Sequence, residues 1–100
     1  MKTAFICSPY RGDVKANTAK ALGYCQQALA QGYMPYAPHL YFTRFLGEDD
    51  PVQRNAGINA GVEWLARCDE VWVFGEPTEG MRIEMARAEK SGKKVVFRDA

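Results

Sequence analysis

Short apolar runs alternate along the chain with longer segments whose apolar residues recur every three or four positions. Four runs have the length of strands, at residues 3–7, 33–37, 70–75 and 94–97. Three longer segments have the helical period, at residues 14–31, 52–67 and 80–90. This order favours a parallel sheet with helices on both faces, because parallel strands need crossover connections of helical length. We therefore predict an α/β three-layer sandwich with a parallel sheet of four to five strands.

The spacing of apolar residues predicts which face of each helix is buried, and a proline predicts where one strand lies in the sheet. Pro35 cannot donate a backbone hydrogen bond, so the second strand is expected at an edge of the sheet. The first helix should bury Val14, Thr18, Ala21, Leu22, Cys25, Ala28 and Leu29. The second should bury Ile58, Val62, Leu65 and Cys68, and the third Met81, Met85 and Ala88.

Length and charge narrow the class of protein. One hundred residues with 47% hydrophobic content predict a single folded domain, residues 1–100. A net charge of +1 argues against a dedicated nucleic-acid binder. There is no apolar run near the roughly 20 residues of a membrane span, and the first residues turn polar too soon for a signal peptide. We expect a cytoplasmic protein without a membrane partner, and a homodimer or higher homo-oligomer because so small a core is only marginally stable.

Cysteine and histidine usage excludes several chemistries. Cys7, Cys25 and Cys68 are odd in number and widely spaced, which predicts neither a disulfide framework nor a zinc site. His39 is the single histidine. The sequence has neither a G-x-G-x-x-G fingerprint nor a Walker loop. We expect no metal and no cofactor.

Three segments follow predicted strands at the edge of the sheet where ligands of such folds bind, at residues 8–13, 38–50 and 75–84. The middle segment is long and aromatic, and loops of this kind are commonly functional. Glu84 would be the one charge on the apolar face of the third helix, where a carboxylate is costly unless it is paired or used. It is a candidate nucleophile or general base. The alternative is a carboxylate that favours the helix start or reaches solvent.

Other candidates have equally plain alternatives. Thr78, Glu79 and Gly80 could bind an anion at the start of the third helix, or Thr78 could simply cap it. Arg11 and Gly12 could hold a phosphate or carboxylate, or form a simple turn. Tyr10 and the loop aromatics could stack on a flat ring or belong to the core. His39 could be a base or a hydrogen-bonded loop residue, and Cys7 is expected to be a buried structural thiol.

Residues 5–12, 63–71 and 78–84 together resemble the nucleoside 2-deoxyribosyltransferase superfamily, which includes the 2'-deoxynucleoside 5'-monophosphate N-glycosidases. The segment 35–42 is similar to a small, uncharacterised branch that is often phage or prophage encoded. The resemblance implies one flavodoxin-like, Rossmann-like domain. It also implies hydrolase or transferase activity on the N-glycosidic bond of a nucleotide or nucleoside.

The resemblance assigns roles to individual residues. Glu84 matches the catalytic glutamate of the superfamily. Thr78 matches a position where the monophosphate hydrolases have a phosphate-binding Ser and the transferases a sugar-binding Asp, so a hydroxyl here favours a 5'-monophosphate. Gly80 matches a glycine of the same turn. Ser8, Arg11 and Gly12 match the loop that surrounds sugar and phosphate, and Tyr10, His39 and Met81 complete the predicted substrate site.

The sequence departs from the superfamily in two places. Counting back eight residues from Asp69, where relatives have a second catalytic acid, gives Gly61. Asn59 and Glu63 would face other directions on a helix, so a proton would have to come from Asp49, Asp50 or His39. In addition, many relatives extend a polar residue into the neighbouring subunit's site from beyond the last strand, whereas this sequence stops at Ala100.

Three hypotheses follow. The first is an N-glycosidase or deoxyribosyltransferase that uses Glu84. The second is a nucleotide-binding or sensing domain that has kept the fold and lost the acid. The third is a phage accessory protein that acts through protein contacts.

Overall fold

The predicted strands form one parallel sheet in the computed structural model, which describes residues 1–99. The strands are β1 (Lys2–Cys7), β2 (Tyr33–Tyr36), β3 (Glu70–Phe74) and β4 (Lys94–Arg98). Their order across the sheet is β2-β1-β3-β4, and all three pairings are parallel. The edge position of β2 confirms the prediction from Pro35. The chain end at Ala100 lies outside the described residues.

Three helices connect the strands, namely α1 (Val14–Ala30), α2 (Pro51–Leu65) and α3 (Glu79–Lys90). Two short 3₁₀ turns, Pro38–Leu40 and Phe42–Arg44, occupy the long loop before α2. Each helix has a side-chain cap at its N-terminus. Asp13, Asp50 and Thr78 accept hydrogen bonds from backbone N–H groups of the first turn. α1 ends before Gly32, which has a φ of +85° that a residue with a side chain seldom adopts.

The helices cover both faces of the sheet, as the strand–helix alternation predicts. Alternate strand residues face opposite sides, so each face has its own buried cluster. On one face, residues of α1 pack against Ala4, Ile6, Trp72 and Phe74. On the other, residues of α2 and α3 pack against Phe5, Cys7, Val71 and Val73. The α/β three-layer architecture is therefore the one predicted.

The buried stripe of α1 is narrower than predicted. Ala21, Tyr24 and Ala28 are buried, whereas Val14, Leu22 and Leu29 are exposed. Small residues let this helix approach the sheet closely, and the Tyr24 ring stacks on Phe74 with ring centroids 3.9 Å apart. The leucines lie on an adjacent stripe that this packing leaves in solvent.

The buried faces of α2 and α3 agree with their periodicity except at Ile58 and Met85, which are half-buried. Val62, Leu65, Cys68, Met81 and Ala88 are buried.

Asp69 orients the start of the sheet. Its Oδ2 accepts hydrogen bonds from the backbone N–H of Thr3 at 2.7 Å and from the hydroxyl of Thr3 at 3.0 Å.

No helix within residues 1–99 combines the length and apolar character that are needed to cross a bilayer.

Candidate functional site

A cavity of about 180 Å³ opens at the carboxyl edge of the sheet, on the face that α2 and α3 cover. Its walls come from the loop after β1, the long loop before α2, and the N-terminal halves of α2 and α3. It contains these predicted site residues: Ser8, Tyr10, Arg11, His39, Thr78, Gly80, Met81 and Glu84. Gly12 is outside the wall, and its φ of +98° shapes the turn that leads into α1. The edge of the sheet therefore brings together residues that are up to 76 positions apart in the sequence, from Ser8 to Glu84.

Glu84 extends into this cavity from the second turn of α3. Burial of the carboxyl group raises its pKa from 4.5 to about 7, because removal from water disfavours the charged form. The adjacent Cys7 thiol acts in the opposite direction and lowers this pKa. Glu84 is therefore a carboxyl group poised between its two protonation states near neutral pH, which suits acid, base or nucleophile chemistry.

Cys7 is next to Glu84 and is itself fully buried. Its Sγ is 3.8 Å from the carbonyl oxygen of Met81, in the turn of α3 that precedes Glu84. Burial, reinforced by the negative charge of Glu84, raises the pKa of this thiol well above its usual range. Cys7 is thus a neutral packing residue and hydrogen-bond donor, in agreement with the expectation of a structural thiol.

Thr78 caps α3, which is the plainer of its two predicted roles. Its Oγ1 accepts a hydrogen bond from the backbone N–H of Met81 at 3.3 Å. The cap does not exclude ligand binding, because Thr78 and Gly80 also line the cavity. The positive end of the α3 dipole lies at this wall, where a negatively charged group would be stabilised.

His39 is held in the cavity wall by two neighbours. Its Nε2 is 3.5 Å from Ser8 Oγ, and its ring lies 5.4 Å from that of Tyr10 between centroids. Burial lowers the pKa of His39 from 6.5 to about 4, so the imidazole is neutral at neutral pH. His39 is therefore suited to hydrogen bonding and is a poor source of a proton for a leaving group.

Two cationic side chains meet at Glu48 in the wall of the cavity. The Nε of Arg11 donates to Oε1 of Glu48 at 3.0 Å, and the Nε of Arg54 lies 3.5 Å from the same oxygen. Sequence reasoning included Arg11 but missed Glu48 and Arg54. Their pairing depends on the course of the long loop, and no sequence spacing signals it.

The other predicted proton donors are elsewhere. Asp50 caps α2, where its Oδ1 accepts from the backbone N–H of Val52 at 2.9 Å. Asp49 is exposed, and neither aspartate is in the cavity wall. At Gly61, a Cβ atom would lie 3.5 Å from the Cβ of Pro38, so a side chain there would meet the 3₁₀ turn that carries His39. Gly61, to which the resemblance assigns the place of the second acid, is covered by this turn.

Across residues 1–99, there is no cluster of three or more His, Cys, Asp or Glu side chains that could hold a metal ion.

Comparison with known proteins establishes the fold and the family. No curated protein sequence matches the chain significantly. Among solved structures, a 2-deoxyribosyltransferase from the psychrotolerant bacterium Bacillus psychrosaccharolyticus has a TM-score of 0.78 at 13% sequence identity. The alignment covers 97% of this chain and 72% of that one. At such low identity the likeness concerns the fold, which is the flavodoxin-like fold predicted from the resemblance; the phage-like branch stays a prediction.

A family model described as "Domain of unknown function (DUF7768)" matches residues 2–98. The match spans every strand and helix of the domain. The chain therefore belongs to the DUF7768 family.

Proposed function

We propose that this domain binds a nucleoside 5'-monophosphate or nucleoside in the cavity and cleaves or transfers its N-glycosidic bond, with Glu84 as the nucleophile. The observation that carries the proposal is the position of Glu84. Its carboxyl group lies in a cavity at the carboxyl edge of a parallel sheet, and burial brings its pKa to about 7. The fold shared with a 2-deoxyribosyltransferase supports the same chemistry.

The reaction would proceed in two displacements at the anomeric carbon. A carboxylate oxygen of Glu84 attacks C1' and forms a glycosyl ester, while the bond from C1' to the base nitrogen breaks and its electron pair leaves with the base. Water or a second base then attacks C1', which breaks the ester and restores the carboxylate. The attacking form of Glu84 is deprotonated, so activity should rise as the pH passes through about 7.

The proton for the leaving base would come from solvent in this scheme. Retaining glycosidases use a second carboxyl group as acid and base, and Gly61 stands where relatives have it. Neutral His39 and the arginine-bound Glu48 are poor replacements. We therefore expect slow turnover, with the best rates for bases that leave readily.

A second function, nucleotide binding without turnover, is favoured by the same absence. A carboxyl nucleophile without its partner acid could serve in a sensing or binding domain that keeps the cavity. This alternative predicts a ligand-induced rise in thermal stability with no release of free base.

A chromatographic assay for free base separates the two. The protein is incubated with deoxynucleoside and ribonucleoside 5'-monophosphates and with free nucleosides, beside the Glu84→Gln variant. We expect base release by the wild type that falls at least about a hundredfold in the variant, because the nucleophile is lost. Glu63→Gln is a matched control, since Glu63 is an exposed glutamate on α2. Release that survives Glu84→Gln would overturn the assignment of the nucleophile.

Two other outcomes also decide between hypotheses. Thermal stabilisation by a nucleotide without base release would favour the binding domain. The absence of both base release and thermal stabilisation by any nucleotide would favour a protein that acts through protein contacts.

The expected homodimer is checked by light scattering, where a mass of 11.2 kDa would contradict it.

A further inference from the structure

The cluster of Arg11, Glu48 and Arg54 is unbalanced in charge. Two guanidinium groups converge on a single carboxylate oxygen, Oε1 of Glu48, at 3.0 and 3.5 Å. Within this cluster two positive charges face one negative charge, while the carboxyl groups of Glu79 and Glu84 lie elsewhere in the cavity wall. A second negative group at this point would be stabilised by the two guanidinium groups.

The two arginines of this cluster also have hydrogen-bond donors without a partner among residues 1–99. Each arginine approaches Glu48 through its Nε. Among residues 1–99, neither arginine donates a hydrogen bond from its two terminal nitrogens to the protein. Guanidinium groups bind phosphate and carboxylate oxygens through two parallel hydrogen bonds, and these free edges are available for that geometry.

The cluster belongs to the cavity, whose walls include all three side chains. Arg54 is the more buried of the two cations, with a side-chain exposure of 25% against 57% for Arg11. By contrast, the Arg67–Glu63 pair on the outer surface has exposures of 71% and 76%. Arg54 is therefore partly withdrawn from water at a ligand cavity, where its attraction for an anion is screened less than at the surface.

The loop on both sides of Glu48 is held by hydrogen bonds of Leu46, Gly47 and Asp50. The backbone N–H of Gly47 donates to the side-chain oxygen of Gln53, in the first turn of α2. Glu48 itself contacts the arginines by its carboxylate alone, without a backbone tie to either. Rotation of its side chain would release both guanidinium groups while the loop stays in place.

We propose that Arg11 and Arg54 form an oxyanion subsite of the cavity, which Glu48 fills in the free protein and which the phosphate monoester of a nucleotide fills on binding. The proposal rests on the proposed function and narrows its substrate class from nucleosides in general to nucleotides. Arg54 is then the residue that distinguishes nucleotides from nucleosides. The Glu48 carboxylate competes with the phosphate for the two guanidinium groups.

Binding measurements in the Glu84→Gln background test this without interference from turnover. The probes are the four 2'-deoxynucleoside 5'-monophosphates, the matching nucleosides and inorganic phosphate, titrated by calorimetry. Arg54→Gln should weaken nucleotide binding about tenfold or more, because a charge-assisted hydrogen bond is lost, and leave nucleoside binding unchanged. Glu48→Gln should strengthen nucleotide binding. Arg67→Gln is the matched control and should change neither.

The outcomes separate this proposal from the proposed reaction. Equal weakening of nucleotide and nucleoside binding by Arg54→Gln would overturn the subsite, as would weaker nucleotide binding in Glu48→Gln. Failure of every nucleotide and of inorganic phosphate to bind would overturn it too. If the variants follow the expected pattern while the wild type releases no base, the subsite stands and the reaction falls. If the wild type releases base from nucleosides and Arg54 is irrelevant to nucleotides, the reaction stands and the subsite falls.

Discussion

Glu70 is a buried carboxylate and Glu84 is a half-buried one in the cavity wall, and the fold treats them in opposite ways. Glu70 begins β3 at the amino edge of the sheet and is 6% exposed. It accepts hydrogen bonds from Trp72 Nε1 and from the Tyr33 hydroxyl, each at 3.0 Å, and these donors hold its pKa below the ordinary value. Glu84 has the Cys7 thiol beside it, which offsets the effect of burial only in part, and burial raises its pKa to about 7.

The difference shows that burial by itself does not indicate function. A buried carboxylate with two good donors contributes to the structure, because the charged form is stabilised there. A carboxylate in a cavity wall with only a thiol beside it is held at a cost in stability, and such a cost is typical of a site that acts on a ligand. The two edges of one sheet thus have different roles, a structural one at the strand starts and a candidate chemical one at the strand ends.

The largest expected effect is a gain in stability from Glu84→Gln. The folded protein raises the pKa of Glu84 from 4.5 to about 7, so it binds a proton that the unfolded chain releases between those values. Stability therefore falls as the pH rises through that window, and the full cost applies above pH 7. We expect Glu84→Gln to raise the free energy of unfolding by up to about 3 kcal/mol at high pH.

Urea unfolding of both proteins across the pH range measures this gain. The two stabilities should converge below pH 4.5, where Glu84 is protonated in both the folded and unfolded states. A loss of stability at high pH would show that Glu84 is better paired than its contacts indicate.

Glu70→Gln should have the opposite sign and a smaller magnitude. A glutamine has only one side-chain oxygen, so its NH₂ group would face either the Tyr33 hydroxyl or the Trp72 N–H and leave that donor without an acceptor. We expect the free energy of unfolding to fall by about 2 kcal/mol at neutral pH. Because the folded pKa of Glu70 is lowered, its contribution is present above 4.5 and disappears as the pH falls through the folded value. The same urea titrations check it, and equal stabilities of the two proteins at neutral pH would contradict the structural role.

The smallest effect is expected from Glu63→Gln. Its carboxylate is 3.7 Å from the Nη1 atom of Arg67 on the outer surface, and both side chains are mostly exposed. Surface pairs of this kind contribute little, so the change should stay within about 0.5 kcal/mol at any pH. The same unfolding curves measure this change. A larger loss of stability would mean that the differences among Glu63, Glu70 and Glu84 do not depend on burial.

Much of the fold was predictable because its signals are local. Periodicity placed all three helices and four strands, and Pro35 marked the edge strand. The error at Leu22 and Leu29 shows the limit of periodicity. Several stripes of α1 are apolar enough to be buried, and the sheet selected the one with alanines, which allows the closest approach.

The candidate site was predictable where its residues follow strands. Ser8 follows β1 directly, Thr78 lies in the turn after β3, and Glu84 lies in the first half of α3, so parallel topology brings all three to one edge. Glu48 and Arg54 could not be found in this way. Their meeting with Arg11 depends on how the loop of residues 38–50 crosses the edge, and that path is set by contacts between distant residues.

The sequence alone determined the order of elements, the parallel sheet and the presence of a carboxylate on the apolar face of α3, because each follows from short-range spacing and side-chain type. Tertiary structure alone decided which glutamate is satisfied and which is not. Trp72 is two residues from Glu70 on the same strand, but the second donor, Tyr33, reaches Glu70 from β2 only because the sheet is formed. Glu84 faces a cavity that likewise exists only in the folded chain. Solvation and hydrogen bonding of a side chain depend on what the fold places around it, so the same residue type is structural at one edge of the sheet and a candidate nucleophile at the other.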